Sequence, residues 1–161
     1  MEKNMKLAIG SDHCGYAMKQ QLIAYLEKQG HEIEDFGCYS TKMVDFPDIA
    51  QKVCAAILNG NAERGIMVCS TGIGAVIACN KIKGIRAGLL HDVYCAHQCV
   101  EHDNVQVMAI GGEVIGYYTA IEVVNAFLKA SFSESQEFVQ RLEKLEKMEK
   151  AEVADSSAIV I

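Results

Sequence analysis

The sequence predicts an α/β fold: a doubly wound, Rossmann-like three-layer sandwich with a five-stranded parallel sheet, order 2-1-3-4-5, and an extra C-terminal helix. Three observations carry this. Short apolar runs alternate with longer stretches of helical spacing along the chain, the signature of βαβ units. The run Ile66 to Val68 is apolar throughout, as in a strand covered on both faces. Half of the 161 residues are hydrophobic and 22% are charged, enough to bury one core. Right-handed crossovers then give the stated strand order and put the ligand site outside the carboxyl ends of strands one and three.

Met5 to Ile9 reads as the first strand, with Gly10-Ser11-Asp12-His13 as its exit. Tyr16 to Lys28 carries Ala17, Met18, Leu22, Ile23 and Leu26 at helical spacing. His31 to Phe36 alternates as strand two, and Gly37 to Phe46 is a loop. Pro47 opens the helix Asp48 to Leu58 at a permitted position. Strand three is Gly65 to Cys69, followed by a helix from about Gly74. Ile85 to Leu90 is strand four, and Asp92 is placed to cap the helix Val93 to Glu101. Val105 to Ile110 is strand five, ended by Gly111-Gly112. Gly116 to Ser131 is a further helix. In the last, Glu134 to Lys150, a stripe of Phe138, Leu142, Leu145 and Met148 needs a surface to cover. Residues 1–150 are thus expected to form one domain. Residues 151–161 lack a helical pattern and read as a tail, disordered or packed on a partner subunit.

A net charge of -6 argues against a nucleic-acid partner. No apolar run approaches the ~20 residues of a membrane span, and the N-terminus lacks a signal-peptide pattern. The seven cysteines (Cys14, Cys38, Cys54, Cys69, Cys79, Cys95, Cys99) are odd in number and sit in apolar settings. They suit a reducing, cytoplasmic setting better than a disulfide framework.

The most informative segment is Cys69-Ser70-Thr71-Gly72-Ile73-Gly74-Ala75. It places a thiol where a strand hands over to a helix, above free backbone N–H groups that favour an anion, a substrate oxyanion or a thiolate. Cys69 on this ground is a nucleophile, a base or a packed thiol. The Gly72-x-Gly74 turn permits close approach of a ligand, although it lacks the full dinucleotide or Walker pattern. Asp12 and His13 leave strand one and should face Cys69 across the sheet edge. His102 ends the fourth helix, where the dipole alone favours a histidine; the other reading is an acid–base group facing the site from the strand-five side. Cys95, Cys99 and His102 share a helical face, but no partner pair at zinc spacing completes them, so no metal is expected. Asn80, Lys81 and Arg86 either bind substrate or form a helix end and a solvated turn.

These residues together resemble the ribose-5-phosphate isomerase B / galactose-6-phosphate isomerase (LacA/LacB) family. The resemblance is carried by Ile9 to His13, Asp45 to Asp48, Cys69 to Gly74, Ala78 to Ala87, Glu101 to Asn104 and Ala109 to Gly116. It implies an aldose–ketose isomerase working through an enediolate, with no metal or cofactor, as a homodimer or homotetramer whose site is shared between subunits. It implies that Cys69 moves the proton between C1 and C2, with Thr71 assisting. The backbone of Ser70, Gly72, Ile73, Gly74 and Ala75 would hold the enediolate oxygen. His102, with Asp12 nearby, would open the sugar ring, and His13 would meet the phosphate or a hydroxyl. Asn80, Asp103 and Arg141 complete the expected substrate contacts. The chain departs from the pattern at Glu113 and Glu137, where many members carry arginine, and at Ser70, Asp103 and Phe46. A carboxylate repels a phosphate dianion, so the resemblance leaves the sugar open among tetroses, pentoses and hexoses. Two other readings stand beside it: a flavodoxin-like module that binds a phosphate ligand, and a non-catalytic homologue.

Overall fold

Strand faces alternate strictly, and this sorts the side chains into two cores. In the computed structural model, which describes residues 4–150, the strands are β1 (Lys6–Ser11), β2 (Glu32–Asp35), β3 (Arg64–Cys69), β4 (Ala87–Leu89) and β5 (Val107–Gly111). The helices are α1 (Tyr16–Lys28), α2 (Phe46–Leu58), α3 (Ile73–Asn80), α4 (Val93–Asp103), α5 (Tyr117–Lys129) and α6 (Gln136–Lys150). Leu7, Ile9, Ile66, Val68, Met108 and Ile110 face α1, α4 and α5, burying Leu22, Val100, Val123 and Phe127 among others. Ala8, Met67, Cys69, Val107 and Ala109 face α2 and α3, against Ile49, Val53, Cys54, Ala75 and Cys79. The result is the expected three-layer parallel sandwich.

The strand order is β2-β1-β3-β5-β4, which corrects the expected 2-1-3-4-5. Every residue of β5 is buried, so it belongs inside the sheet, and it pairs with β3 over Gly65↔Val107 to Cys69↔Gly111. Only three residues of β4 pair, and all are at least partly exposed, as suits an edge. The chain therefore steps from β3 to the edge and returns to fill the slot. The switch point between β1 and β3 survives this change, because α1 and α2 still leave on opposite faces.

Helix bounds follow local chemistry. Pro47 sits in the first turn of α2. The carboxylate of Asp92 accepts from the Cys95 N–H at 2.7 Å and caps α4, which runs to Asp103 and stops at Asn104 in the left-handed conformation. Helix α6 buries none of its residues fully, and Leu145 and Met148 of its apolar stripe lie exposed. No described helix is long and apolar enough to cross a membrane. The expected tail, 151–161, lies outside the described residues.

Candidate active site

Parallel pairing of β1 with β3 sets Ser11 opposite Val68, so the next residue of each strand leaves the same edge. The Asp12 N–H donates to the Val68 carbonyl at 3.2 Å, and the Cys69 thiol donates to Asp12 Oδ2 at 2.9 Å. The other oxygen, Oδ1, accepts from the Gly15 N–H at 2.9 Å, which fixes the carboxylate. Both residues are nearly sealed from solvent, Cys69 at 6% and Asp12 at 5% exposure. Gly15 permits the close packing of α1 on β3 that this needs, since a Cβ there would stand 2.2 Å from the Val68 carbonyl oxygen.

Burial pushes the Cys69 thiol up, and the hydrogen bond to Asp12 and its charge push the same way. The backbone of Gly72 and Ser70 pulls it down without reversing the direction. The net shift is upward, against the expectation that the helix terminus favours a thiolate.

Gly72 ends the loop at φ 79 and starts α3. The Val76 N–H bonds back to the Gly72 carbonyl at 3.0 Å, while the Ile73 N–H goes to Thr71 Oγ1 at 3.3 Å. The N–H groups of Gly74 and Ala75 have no partner within the helix, because they belong to its first turn. Such N–H groups, at the positive end of the helix dipole, offer a cradle that can hold an oxyanion. The Phe46 ring lies against Gly74, where a Cβ would come within 2.7 Å of it.

The β5 exit braces this loop. The Gly112 N–H donates to the Cys69 carbonyl at 2.8 Å and the Glu113 N–H to the Ser70 carbonyl at 3.0 Å. His91, which follows β4, accepts the Gly111 N–H on Nε2 at 2.8 Å, so the hydrogen bond itself assigns the ring proton to Nδ1. No motif marks His91 in the sequence, although it leaves a strand at the same carboxyl edge as Asp12 and Cys69. His13 is half-buried at that edge, with Nδ1 accepting from the Val44 N–H at 3.5 Å.

The other expected site residues lie elsewhere. Helix α4 runs back from the carboxyl edge, so His102 and Asp103 in its last turn sit beside the start of β5. That is about a strand's length, ~17 Å, from Cys69. His102 therefore does not face the site of its own chain from the strand-five side. Its ring stacks on Phe138 of α6, centroids 4.2 Å apart, and Arg141 lies over the other end of that group, 5.4 Å from the Phe138 centroid and 3.8 Å from Glu137. Asn80 ends α3, and its amide holds the Ala87 backbone by two hydrogen bonds of 2.8 and 2.9 Å. Arg86 spends its guanidinium on the Asp103 and Asn104 carbonyls. Both are braces in this chain. Cys95, Cys99 and His102 do not converge: among the described residues the one group of three metal-ligating side chains is Asp12, His13 and Cys14.

The ribose/galactose isomerase family profile matches residues 7–145. A Listeria innocua protein named ribose-5-P isomerase B is 40% identical over 141 residues, which cover 86% of this chain and 95% of that relative. A Pectobacterium atrosepticum D-erythrulose-4-phosphate isomerase is 38% identical, covering 80% and 85%. The solved structure of Clostridium thermocellum ribose-5-phosphate isomerase B superimposes with a TM-score of 0.88 at 40% identity, over 91% of this chain and 98% of that one. With the Cys69–Asp12 edge, the α3 cradle and these matches, the chain belongs to the ribose/galactose isomerase family.

Proposed function

We propose that this protein is an aldose–ketose isomerase that interconverts a small sugar phosphate, of the ribose 5-phosphate/ribulose 5-phosphate type or a neighbouring tetrose or hexose, with Cys69 as the base. The carrying observation is the 2.9 Å contact of the Cys69 thiol with Asp12 beside the α3 cradle. A proton-transfer base needs a partner that takes its proton and returns it, and Asp12 is held in place to do so. As the sulfur removes the C2 proton, charge builds on the carbonyl oxygen, and the Gly74 and Ala75 N–H groups stabilise it without rearrangement. The same sulfur then delivers the proton to C1. Thr71 is exposed at the loop and assists proton movement between the oxygens; His13 meets the phosphate or a hydroxyl.

The site is shared between two copies. One chain brings Asp12, His13 and the Cys69–Ala75 loop; the partner brings the His102–Phe138–Arg141 group, with His102 opening the sugar ring. Two observations support this: His102 lies a strand's length from its own Cys69, and apolar Ile73, Ile77, Val93 and Tyr94 stand exposed on α3 and α4. Asp103 belongs with the partner's half; Asn80 acts by holding β4.

Assay of tetrose, pentose and hexose phosphates should reveal isomerisation, and Cys69→Ala should lower kcat by ~10²–10⁴-fold while still unfolding in one cooperative urea transition. Full turnover in that variant overturns the mechanism. Inactive Cys69→Ala and His102→Ala chains, unfolded and refolded together, should regain activity through mixed dimers that carry one intact site. No recovery overturns the shared site.

A further inference from the structure

We propose that Asp12, His13 and Cys14 form a site for a thiophilic divalent cation, with Zn²⁺ as the probe, and that its occupation switches the isomerase off. The inhibitory half rests on the reading of Cys69 and Asp12 as the isomerase centre; the binding half does not. The carboxylate, imidazole and thiol of these three residues place one ligand atom each within 4.8 Å of one another. A tetrahedral Zn²⁺ holds S, N and O donors at ~2.0–2.3 Å, so its donors stand about 3.5 Å apart. Cys14 is exposed, and the site requires its side chain to turn to close the difference. The mixed donor set selects a zinc-like ion over Mg²⁺ or Ca²⁺, which take oxygen alone. The fourth position is left to water.

On binding, a Zn–S bond forms and the Cys14 proton leaves to solvent; nothing is oxidised or reduced. Cys14 has no part in the proton transfer proposed above. Its neighbours do: Asp12 accepts the Cys69 thiol at 2.9 Å, and a metal on Asp12 and His13 takes the carboxylate from that thiol and fills the space beside it.

The test uses the full chain, stripped with a chelator and titrated with Zn²⁺ against a chromophoric chelator, and with Co²⁺ to read thiolate-to-metal charge transfer. The wild type should bind a single equivalent with that absorption. Cys14→Ala and Cys14→Ser should lose the absorption and bind Zn²⁺ at least ~10–100-fold more weakly, whereas Cys95→Ala should match the wild type. Zn²⁺ should stop wild-type turnover reversibly and leave Cys14→Ala active. Equal affinity and spectra in wild type and both Cys14 variants overturn the site; binding at Cys14 that leaves turnover untouched overturns the switch. If no sugar phosphate is turned over, the proposed activity fails, and the Co²⁺ spectra still decide the site.

Discussion

Gly72→Ala separates two demands that the turn into α3 makes on one residue. The first is conformational: φ is 79, in the left-handed region, where an L-residue costs ~1–2 kcal/mol. The second is steric. A Cβ at Gly72 would stand 2.6 Å from Leu89 Cδ1, 3.0 Å from the Ile110 carbonyl carbon and 3.1 Å from the Gly111 nitrogen. The leucine tip can swing aside, but the two backbone atoms belong to β5 and yield only if the sheet moves. Overpacking of this kind costs ~1–3 kcal/mol, so the sum is ~2–5 kcal/mol. Gly60 supplies the reference: its φ is +73 and nothing lies within 4 Å of an added Cβ. Gly60→Ala should therefore show the conformational part alone, ~1–2 kcal/mol. With a urea m-value of ~2 kcal/mol/M, the midpoint should fall by ~1–2.5 M for Gly72→Ala and by ~0.5–1 M for Gly60→Ala, followed by circular dichroism. Turnover should fall only in the first, because the displaced turn carries the cradle. Equal midpoint losses would refute the steric argument, and no loss at Gly72 would refute both parts.

Lys19 is fully buried and pairs with Asp35 Oδ1 at 2.5 Å. Lys19→Met strands that carboxylate with the Gly37 N–H as its remaining partner and should lower stability by about 3 kcal/mol, partly recovered by adding Asp35→Asn; an unchanged denaturation midpoint would contradict this. Burial pushes the Cys69 thiol up from 9.0 and the Cys99 thiol to about 11. The folded chain thus keeps protons that the unfolded chain releases. Stability should be fully present below pH 9.0 and decline as the pH rises through about 11, less steeply in Cys99→Ala; flat urea midpoints across that range would refute the shift.

Periodicity and end signals made most elements readable. Helix α1 spans Tyr16–Lys28, as its spacing predicts, and the Asp92 cap and the Pro47 start are where their chemistry puts them. The position of β5 was not readable, because an apolar run reports burial and not neighbours. Strand four reads as Ile85 to Leu90, yet only Ala87–Leu89 pair, and nothing local marks them as an edge. The Asp12–Cys69 contact follows from the switch point, which depends on the crossovers between β1 and β3 alone. The state of the Cys69 proton does not, since the helix terminus is visible in sequence and the depth of burial is not. The placement of His102 fails within one chain because α4 runs antiparallel to the sheet.

The late return of β5 has a consequence for synthesis. Until Val107–Gly111 emerges from the ribosome, β3 offers an open ladder edge on the side where β5 will sit, and β4 has no strand to pair with, because β5 is its one partner in the sheet. Open edges of this kind recruit strands from other chains. The nascent protein is thus most exposed to aggregation while α3, β4 and α4 are already made. A stalled chain that ends before Val107 should engage chaperones, and one long enough for Val107–Gly111 to have emerged should release them.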